Sequence, residues 1–317
     1  MSGITALCLL GPTGTGKTEA ALALADAFNG SVVNFDSRQV YQGVGVTTAQ
    51  PSPQEQARCP HHLYGFLPCG EAISAGIYAE LAAPVIREVA AQGRMPILVG
   101  GTGLYLRALL EGIAPIPDIP QPIREKILDE VDRLGPQLLH ERVRRIDPAY
   151  ADKIHPNDRQ RVARALEVHE ATGRTFTDWH GATTKLVDIR CLKLGIRMGK
   201  PDLDARLARR ITLMLEQGAL EEVRAALDAC HQRGLDERAP GLSGIGCAEL
   251  AAHLLGRISL KEALALWLAN TKAYAKRQMT WFKMDPEVRW FGPGQPGAMA
   301  DSAHGWLEAQ ASSPGKG

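Results

Sequence analysis

Residues 6–18, with the sequence ALCLLGPTGTGKT, decide the architecture of this chain. An apolar run fills positions 6–10, and apolar residues at helical spacing follow over positions 19–28. Between them lies the pattern G-x-x-x-x-G-K-[ST], which forms a phosphate-binding loop when a strand precedes it and a helix follows it. Backbone N–H groups turned inward by the glycines and the positive end of the helix dipole both attract an anion. The pattern predicts a polyphosphate ligand and leaves open what that polyphosphate carries.

The loop supplies eight candidate phosphate-binding residues. The Lys17 ammonium is a point charge for the outer phosphate, and the Thr18 hydroxyl is a candidate ligand for Mg²⁺. The full set is Gly11, Pro12, Thr13, Gly14, Thr15, Gly16, Lys17 and Thr18.

Strand and helix patterns alternate through the first part of the chain. Apolar segments at 31–35 and 96–99 are predicted strands, and residues 77–92 and 104–110 are predicted helices. Such alternation indicates a parallel sheet, whose ligands bind at the carboxyl ends of the strands. The phosphate loop, Asp36 and Thr102 all follow directly on predicted strands. The predicted fold class is therefore α/β, with a P-loop NTPase-like parallel-sheet core.

A proline-rich connector interrupts this core. Four prolines fall within residues 114–122, and helical patterns dominate from residue 123 to about residue 181. Strand character returns near residue 186, and further helices follow it. We predict that residues 1–117 form the first part of the core and residues 118–186 a mainly helical insertion domain. Residues 187–292 are then the second, mainly helical part of the core, and residues 293–317 a flexible tail rich in Gly, Pro, Ala and Ser.

The composition excludes several classes of protein. Hydrophobic residues make up 45% and charged residues 22% of the chain, as in ordinary soluble globular proteins. No segment approaches the ~18 consecutive apolar residues of a membrane span, and no signal peptide precedes the first strand. The six cysteines include no C-x-x-C pair, which fits free thiols in a reducing compartment. These features predict a cytoplasmic protein without a membrane partner.

Positive charge is concentrated in the middle of the chain. The net charge is +1 overall, whereas residues 121–210 carry +5, from 19 Lys and Arg minus 14 Asp and Glu. A basic segment is a weak sign of a polyanionic partner such as nucleic acid, and a solvated helical surface explains it equally well. Arg161 and Arg164 lie three residues apart on one predicted helix face, where both reach the same phosphate backbone. In the alternative interpretation, Glu167 compensates their charge on an ordinary surface helix.

Three further residues are candidates for chemistry. Asp36 ends a strand beside the phosphate loop, as a Mg²⁺ ligand or a base does, although an Asx-turn or a helix cap also explains it. The turn after residues 96–99 has no acidic residue to position an attacking water, but Thr102 offers a hydroxyl there. Arg210 and its neighbours Arg206 and Arg209 suit bidentate binding of a diphosphate.

A late helix combines cations with aromatic rings. Lys272, Lys276 and Lys283 recur at helical spacing, and Tyr274 and Trp281 are interleaved with them. Cations mixed with flat rings are typical of a nucleic-acid contact. A surface helix whose aromatic side chains pack inward is the alternative.

Taken together, these motifs resemble the tRNA dimethylallyltransferases (isopentenyltransferases) of the bacterial type. The ordered set comprises the phosphate loop, DSRQVY at 36–41, HHL at 61–63, VGGTGLY at 99–105, the polar run at 155–167 and AKRQMTWF at 275–282. The chain departs from the family pattern at Gln50, where a lysine is usual, and at Cys247 and Ala248, where an aromatic residue and a cation are usual.

The resemblance implies transfer of a dimethylallyl group from dimethylallyl diphosphate to N6 of the adenosine at tRNA position 37, next to the anticodon. Lys17, Thr18 and Arg210 would hold the diphosphate with Mg²⁺, Asp36 would accept a proton or hydrogen bond from the attacking amine, and Thr102 would orient that amine. The expected catalytic residues are thus Asp36, Thr102 and Arg210, and the expected partners are the tRNA anticodon stem-loop and dimethylallyl diphosphate, bound by a monomer. The expected tRNA contacts are Asp36, Ser37, Arg38, Gln39, Arg124, Gln160, Arg161, Val162, Ala163, Arg164, Lys276, Arg277, Gln278 and Lys283.

Other functions remain compatible with the residues themselves. The same loop cradles ATP in small-molecule and nucleotide kinases, although the missing acidic residue after residues 96–99 disfavours this class. The basic middle also suits a non-catalytic RNA-binding or nucleotide-switch protein. A related enzyme that prenylates a free adenine nucleotide is disfavoured because a small acceptor needs no basic insertion.

Overall fold

A computed structural model describes residues 3–312 of the chain. The chain folds into two compact units. Among the described residues, the core unit comprises residues 3–110 and 187–312, and the helical unit comprises Glu111–Leu186. No helix within residues 3–312 combines the length and apolar character that crossing a membrane requires.

The core unit contains a six-stranded sheet in which every paired strand is parallel. The strands are β1 (Ile4–Leu10), β2 (Gly30–Asn34), β3 (His61–His62), β4 (Met95–Gly100), β5 (Ile189–Ile196) and β6 (Arg289–Phe291). Their spatial order is β3-β2-β4-β1-β5-β6, so the strand before the phosphate loop lies inside the sheet. The registered pairs around it include Leu9 with Val99 and Leu9 with Leu194.

Fourteen helices accompany the sheet in residues 3–312. Those before the second half of the core are α1 (Lys17–Phe28), α2 (Pro53–Gln56), α3 (Ala75–Ala91), α4 (Gly103–Glu111), α5 (Gln121–Leu134), α6 (Pro136–Ile146), α7 (Pro148–Ala151), α8 (Arg159–Thr172) and α9 (Phe176–Gly181). Those after it are α10 (Lys200–Glu216), α11 (Ala219–Gln232), α12 (Cys247–Leu254), α13 (Leu260–Lys283) and α14 (Pro296–Ser312).

Burial of the inner strands explains their sequence. Leu7, Leu9 and Ile97 are completely buried and pack with the apolar side of α1. Inner parallel strands have both faces covered, so they appear in sequence as continuous apolar runs. This packing fixes the carboxyl ends of β1, β2 and β4 at one edge of the sheet, where the candidate site residues follow.

The prediction of a flexible tail over residues 293–317 is wrong for its larger part. Residues 296–312 form the helix α14, and Met299 and Ala303 are completely buried against the core that α1 and β5 share. The prediction followed the Gly, Pro and Ser content of the tail and overlooked the two apolar positions. They are four residues apart, so they lie about one turn apart on the same face of a helix. The rest of the predicted tail, residues 313–317, lies outside the described residues.

The helical unit has a core of its own. Ile127, Val143 and Leu166 are buried among α5, α6 and α8. The unit begins at Glu111, seven residues before the predicted boundary at residue 118, because the two ends of the insertion pair with each other. Ile113 forms an antiparallel bridge with Thr184 at this base.

Candidate active site

The phosphate loop joins β1 to α1 in a conformation that requires glycine. Gly11 has φ of +146°, and a Cβ there would lie 2.6 Å from the carbonyl oxygen of Ile196. Gly14 has φ of +83°, and a Cβ there would lie 2.6 Å from a methyl carbon of Leu207 on α10. A side chain at either position would meet both backbone strain and a close neighbour. The two glycines thus let α10 and β5 approach the loop closely.

Lys17 lies within the loop and folds back onto it. Its Nζ donates hydrogen bonds of 2.9 Å to the carbonyl oxygens of Gly11 and Pro12. Burial lowers the pKa of Lys17 from 10.5 to about 8, Asp36 partly opposes this decrease, and Arg210 adds to it. At neutral pH the ammonium is still mostly protonated, and it is incompletely compensated. An anion bound in the loop would supply the missing negative charge.

Arg210 of α10 reaches the loop from the opposite side. One of its terminal nitrogens donates to Thr13 Oγ1 at 2.8 Å, whereas its Nε is buried without a hydrogen-bond partner. Burial lowers the pKa of Arg210 to about 10, with Asp36 raising it and Arg206 lowering it further. The guanidinium of Arg206 lies 3.4 Å from where a Gly16 Cβ would be. A multiply charged anion bound here would accept the hydrogen bond that Arg210 Nε leaves unused and would neutralise the neighbouring positive charges.

Asp36 and Thr102 meet at the ends of β2 and β4. Asp36 Oδ1 accepts the backbone N–H of Arg38 at 2.9 Å, so the carboxylate does form the local turn that the alternative interpretation expected. Its Oδ2 lies 3.4 Å from where a Gly101 Cβ would be. Thr102 Oγ1 accepts the backbone N–H of Ser37 at 2.9 Å. The Asp36 carboxylate is thus held by the Arg38 N–H, and the residue between them, Ser37, binds the Thr102 hydroxyl. This structural role is compatible with a chemical one.

A cavity of about 250 Å³ joins the loop to this turn within the core unit. Thr13 and Arg210 line it at the loop, and Asp36 and Arg38 line it at the turn. The remaining lining residues are Thr47, Thr48, Ser243, Ile245, Trp267, Thr271, Tyr274 and Arg277. The cavity thus combines cations, one carboxylate and an apolar side.

Helix α13 contributes one wall of this cavity, which was not predicted from the sequence. Trp267, Thr271 and Tyr274 are spaced four and three residues apart, so they lie on one face of α13. This spacing was available in the sequence, but it does not reveal which element the face packs against. Burial raises the pKa of the Tyr274 hydroxyl, which is therefore protonated at neutral pH, and the nearby Thr102 side chain partly opposes this rise.

The predicted tRNA-contact residues of α13 occupy two different environments. Lys276, Arg277 and Lys283 are exposed. The shallow groove beside them includes Trp281 and is lined mainly by apolar atoms. Gln278 is only 4% exposed, and its amide is hydrogen bonded inside the core unit. The side chain of Gln278 is thus not presented for the tRNA contact that the resemblance implied.

In the helical unit, the predicted contacts on α8 also divide by exposure. Gln160 and Arg161 are exposed, whereas Val162 and Ala163 are buried in the unit's core. Arg164 is half-buried.

Two of the three charged residues that were predicted as tRNA contacts in the helical unit form ion pairs within it. Arg161 pairs with Asp158 at 3.4 Å and Arg164 with Glu167 at 3.2 Å. The charge compensation by Glu167 that the alternative interpretation expected is therefore present, and it leaves Arg161 exposed for a phosphate. Arg124 on α5 is half-buried, and its Nε is buried without a hydrogen-bond partner.

Two of the three departures from the family pattern, Gln50 and Cys247, have internal contacts or are buried. The Gln50 amide donates to the carbonyl oxygen of Tyr41 at 2.8 Å, which ties down the loop that follows β2. Cys247 is fully buried at the start of α12, whereas Ala248 is exposed. Glu222 accepts both Val46 N–H and Thr47 N–H at 2.8 Å, so it holds the segment that carries Thr47 into the cavity.

The residues of the site fit a magnesium ion that is bound mainly through its substrate. No group of three or more His, Cys, Asp and Glu side chains that could cage a metal exists among the described residues. Thr18 is half-buried in the first turn of α1, where its hydroxyl is a hard oxygen ligand. Mg²⁺ prefers few protein oxygens together with phosphate oxygens and water, which matches this donor set.

The parallel sheet and the phosphate loop after β1 define a P-loop NTPase-like protein. Two family descriptions match its sequence, IPP transferase over residues 39–285 and isopentenyl transferase over residues 4–64. It is 50% identical over 301 residues to the tRNA dimethylallyltransferase of Oleidesulfovibrio alaskensis, which covers 95% of this chain and 97% of that protein. It is 53% identical over 287 residues to the same enzyme of Nitratidesulfovibrio vulgaris, covering 90% and 92%.

Solved structures agree with these sequence matches. A tRNA isopentenylpyrophosphate transferase from Bacillus halodurans aligns with a TM-score of 0.71 and 32% identity over 98% of both chains. A eukaryotic dimethylallyltransferase described as acting on tRNA aligns with a TM-score of 0.80 and 25% identity, over 99% of this chain and 81% of that one. The chain belongs to the tRNA dimethylallyltransferase family. The predicted family and the predicted fold class are both confirmed.

Proposed function

We propose that this chain transfers the dimethylallyl group of dimethylallyl diphosphate to N6 of the adenosine at tRNA position 37. The activity as a tRNA dimethylallyltransferase rests on its family. The observation that supports the chemical assignment is the cavity in which Thr13 and Arg210 face the Asp36 turn. An anion-binding end and a carboxylate end in one cavity suit a reaction that expels a diphosphate and removes a proton.

The donor half of the reaction depends on the phosphate loop. We assign the diphosphate to the backbone of residues 11–18, with Lys17 and the unpaired Nε of Arg210 neutralising its charge. Because an allylic carbon ionises readily when its leaving group is stabilised, these fixed cations lower the barrier to breaking the C1–O bond. Mg²⁺, held by Thr18 and the phosphate oxygens, would supply further positive charge to the departing diphosphate.

The acceptor half depends on Asp36 and Thr102. The N6 lone pair forms a bond to C1 of the dimethylallyl group as the C1–O bond breaks, and the diphosphate leaves with that electron pair. The proton lost from N6 passes to the Asp36 carboxylate. Thr102, whose hydroxyl oxygen accepts the Ser37 N–H, orients the amine. Positioning matters here because the exocyclic amine of adenine is a weak nucleophile.

The tRNA partner accounts for the exposed cations. Arg161 in the helical unit and Lys276, Arg277 and Lys283 in the core unit are exposed, as phosphate contacts need to be. The target base lies in a stacked anticodon loop, so it reaches the cavity only after it is flipped out. We assign the anticodon stem-loop as the part of tRNA that is bound, and a monomer as the active form.

The kinase alternative is not favoured. The four residues that end and follow β4, at positions 100–103, contain no carboxylate to position a nucleophile for phosphoryl transfer. The family matches point to prenyl transfer over nearly the whole chain.

The test uses radiolabelled dimethylallyl diphosphate, unmodified tRNA and Asp36→Asn. The wild-type protein should transfer label to tRNA, and Asp36→Asn should lower kcat by about a hundredfold or more, the range of a lost general base. The binding of tRNA should remain nearly unchanged. Asp301→Asn, an exposed carboxylate on α14, is the matched control and should retain full activity. Label in a free nucleotide with none in tRNA would contradict the proposal, as would full activity of Asp36→Asn.

A further inference from the structure

Gln278 lies at the centre of the core unit, where its amide connects the phosphate loop to the strand end that carries Thr102. Its Oε1 accepts the backbone N–H of Thr13 at 2.9 Å, and its Nε2 donates to the carbonyl oxygen of Gly101 at 2.9 Å. The residue is 4% exposed. Only one orientation of the amide satisfies both neighbours, because one neighbour is a donor and the other an acceptor.

The absence of a side chain at Gly101 leaves space for the Gln278 amide. A Cβ at Gly101 would lie 2.0 Å from Gln278 Nε2, so any larger residue there would displace the side chain of Gln278. The contact therefore requires a glycine at position 101, because only glycine leaves room for the Gln278 amide.

The contact also extends to the cation that covers the loop. Thr13 is held at its backbone by Gln278 and at its hydroxyl by Arg210, whose terminal nitrogen donates at 2.8 Å. Without the Gln278 amide, the backbone N–H of Thr13 would lose its hydrogen-bond partner. Because Arg210 donates to the Thr13 hydroxyl, a shift of Thr13 would also move Arg210. Gln278 thus acts on the anion-binding end of the cavity through its neighbours, without lining the cavity itself.

We propose that Gln278 is a positioning residue for the diphosphate, holding Thr13 and thereby Arg210 at a fixed distance from the end of β4. This inference rests on the proposed function, since it names the residue that sets the geometry of the proposed diphosphate site. It separates Gln278 from its neighbours Lys276 and Arg277, whose exposed side chains are assigned to tRNA.

The decisive variants are Gln278→Glu and Gln278→Met. A glutamate carboxylate still accepts from Thr13 N–H but repels the carbonyl oxygen of Gly101, whereas a protonated glutamate donates to that oxygen as the amide does. Burial raises the pKa of a carboxyl group, which brings its protonation into an accessible pH range. Methionine has a similar size but offers neither function. Gln232→Glu, at an exposed position on α11, is the matched control for the added charge.

Label transfer to tRNA is measured from pH 5.5 to pH 8, and each variant is compared with wild type at the same pH. At pH 8, Gln278→Glu should lose about tenfold or more in kcat/KM for the donor, as expected for an unsatisfied buried polar contact. This ratio to wild type should recover several-fold at pH 5.5. The ratio for Gln278→Met should be low at every pH, and that for Gln232→Glu should stay near one. The Kd for tRNA without donor should be unchanged in Gln278→Glu, whereas Arg277→Ala should raise it.

The outcomes separate this inference from the function on which it rests. Active wild type with a pH-independent Gln278→Glu ratio, or with weakened tRNA binding as the main defect, overturns the inference alone. Wild type that transfers no label to tRNA overturns the proposed function as well. If both variants fail to fold, amide hydrogen exchange of the ligand-free wild type gives the answer. A protected Thr13 N–H supports the contact, and exchange at the rate of an open loop contradicts it.

Discussion

Replacing Lys17 with methionine should change the pH dependence of stability as well as activity. The pKa of Lys17 falls from 10.5 to about 8 on folding, chiefly because the ammonium is buried. The unfolded chain therefore binds more protons than the folded protein between pH 8 and pH 10.5, and the stability of the wild type rises with pH across that window. Below pH 8 the full penalty is present, and it amounts to about 3 kcal/mol.

As the pH rises above 8, the folded protein loses the Lys17 proton first and the penalty decreases. The penalty is gone above pH 10.5, where the unfolded chain has lost the proton as well. From pH 7 to pH 9.5, about 2 kcal/mol of it should be regained by the wild type relative to Lys17→Met. The two hydrogen bonds from Nζ to Gly11 and Pro12 are also lost in the variant. The change with pH depends only on the difference between the folded and unfolded pKa values of Lys17, so it separates the titration of the ammonium from any pH-independent cost of losing these bonds.

Urea unfolding at pH 7 and pH 9.5 measures the difference directly. In the same samples, inorganic diphosphate with Mg²⁺ should raise the Tm of the wild type and have little effect on Lys17→Met, since the variant lacks the charge that the ligand neutralises. A stability difference between the two proteins that does not change with pH would refute the reasoning. So would equal stabilisation of both proteins by diphosphate.

Three further substitutions test other parts of the molecule. Arg210→Ala should raise KM for the donor by about tenfold or more, the cost of a lost charged hydrogen bond, with little change in tRNA binding measured by filter retention. Arg161→Ala should weaken tRNA binding and reduce the slope of log Kd against log salt concentration by up to about one, and an unchanged slope would exclude a phosphate contact. Met299→Ala should lower the free energy of unfolding by about 2–5 kcal/mol in urea titrations, because Met299 is fully buried. A change within experimental error would contradict the packing of α14 and support the prediction of a flexible tail.

The parts of the site that sequence analysis predicted share a local origin. The phosphate loop is a contiguous segment whose glycines, lysine and threonine act together at fixed spacing, so its pattern is visible without the fold. Asp36 and Thr102 were predicted because parallel strands bring their carboxyl ends to one edge of the sheet. The proposed chemical roles of Asp36 and Thr102 stay predictions until the variants are measured.

The parts that were missed depend on packing between distant segments. Trp267 and Thr271 line the cavity because one face of α13 packs towards the loop, and helical spacing alone does not identify that neighbour. The burial of α14 was missed because its two buried apolar positions are separated by small and polar residues. The expected tRNA contacts at Val162 and Ala163 were carried over from a motif, which contains no information on which side of α8 is buried.

The sequence by itself determined the fold class, the phosphate loop and the family, because these depend on short-range patterns that survive without knowledge of the contacts. Only the tertiary structure decided which residues Gln278 contacts. Its two hydrogen bonds join residues separated by 265 and 177 positions along the chain, and no local pattern encodes such a pairing. The same side chain looks like an exposed polar residue of a basic helix in the sequence and is a buried link between two edges of the site in the fold. The physical reason is that burial is a property of the packed neighbours, whereas sequence spacing specifies only the helix face.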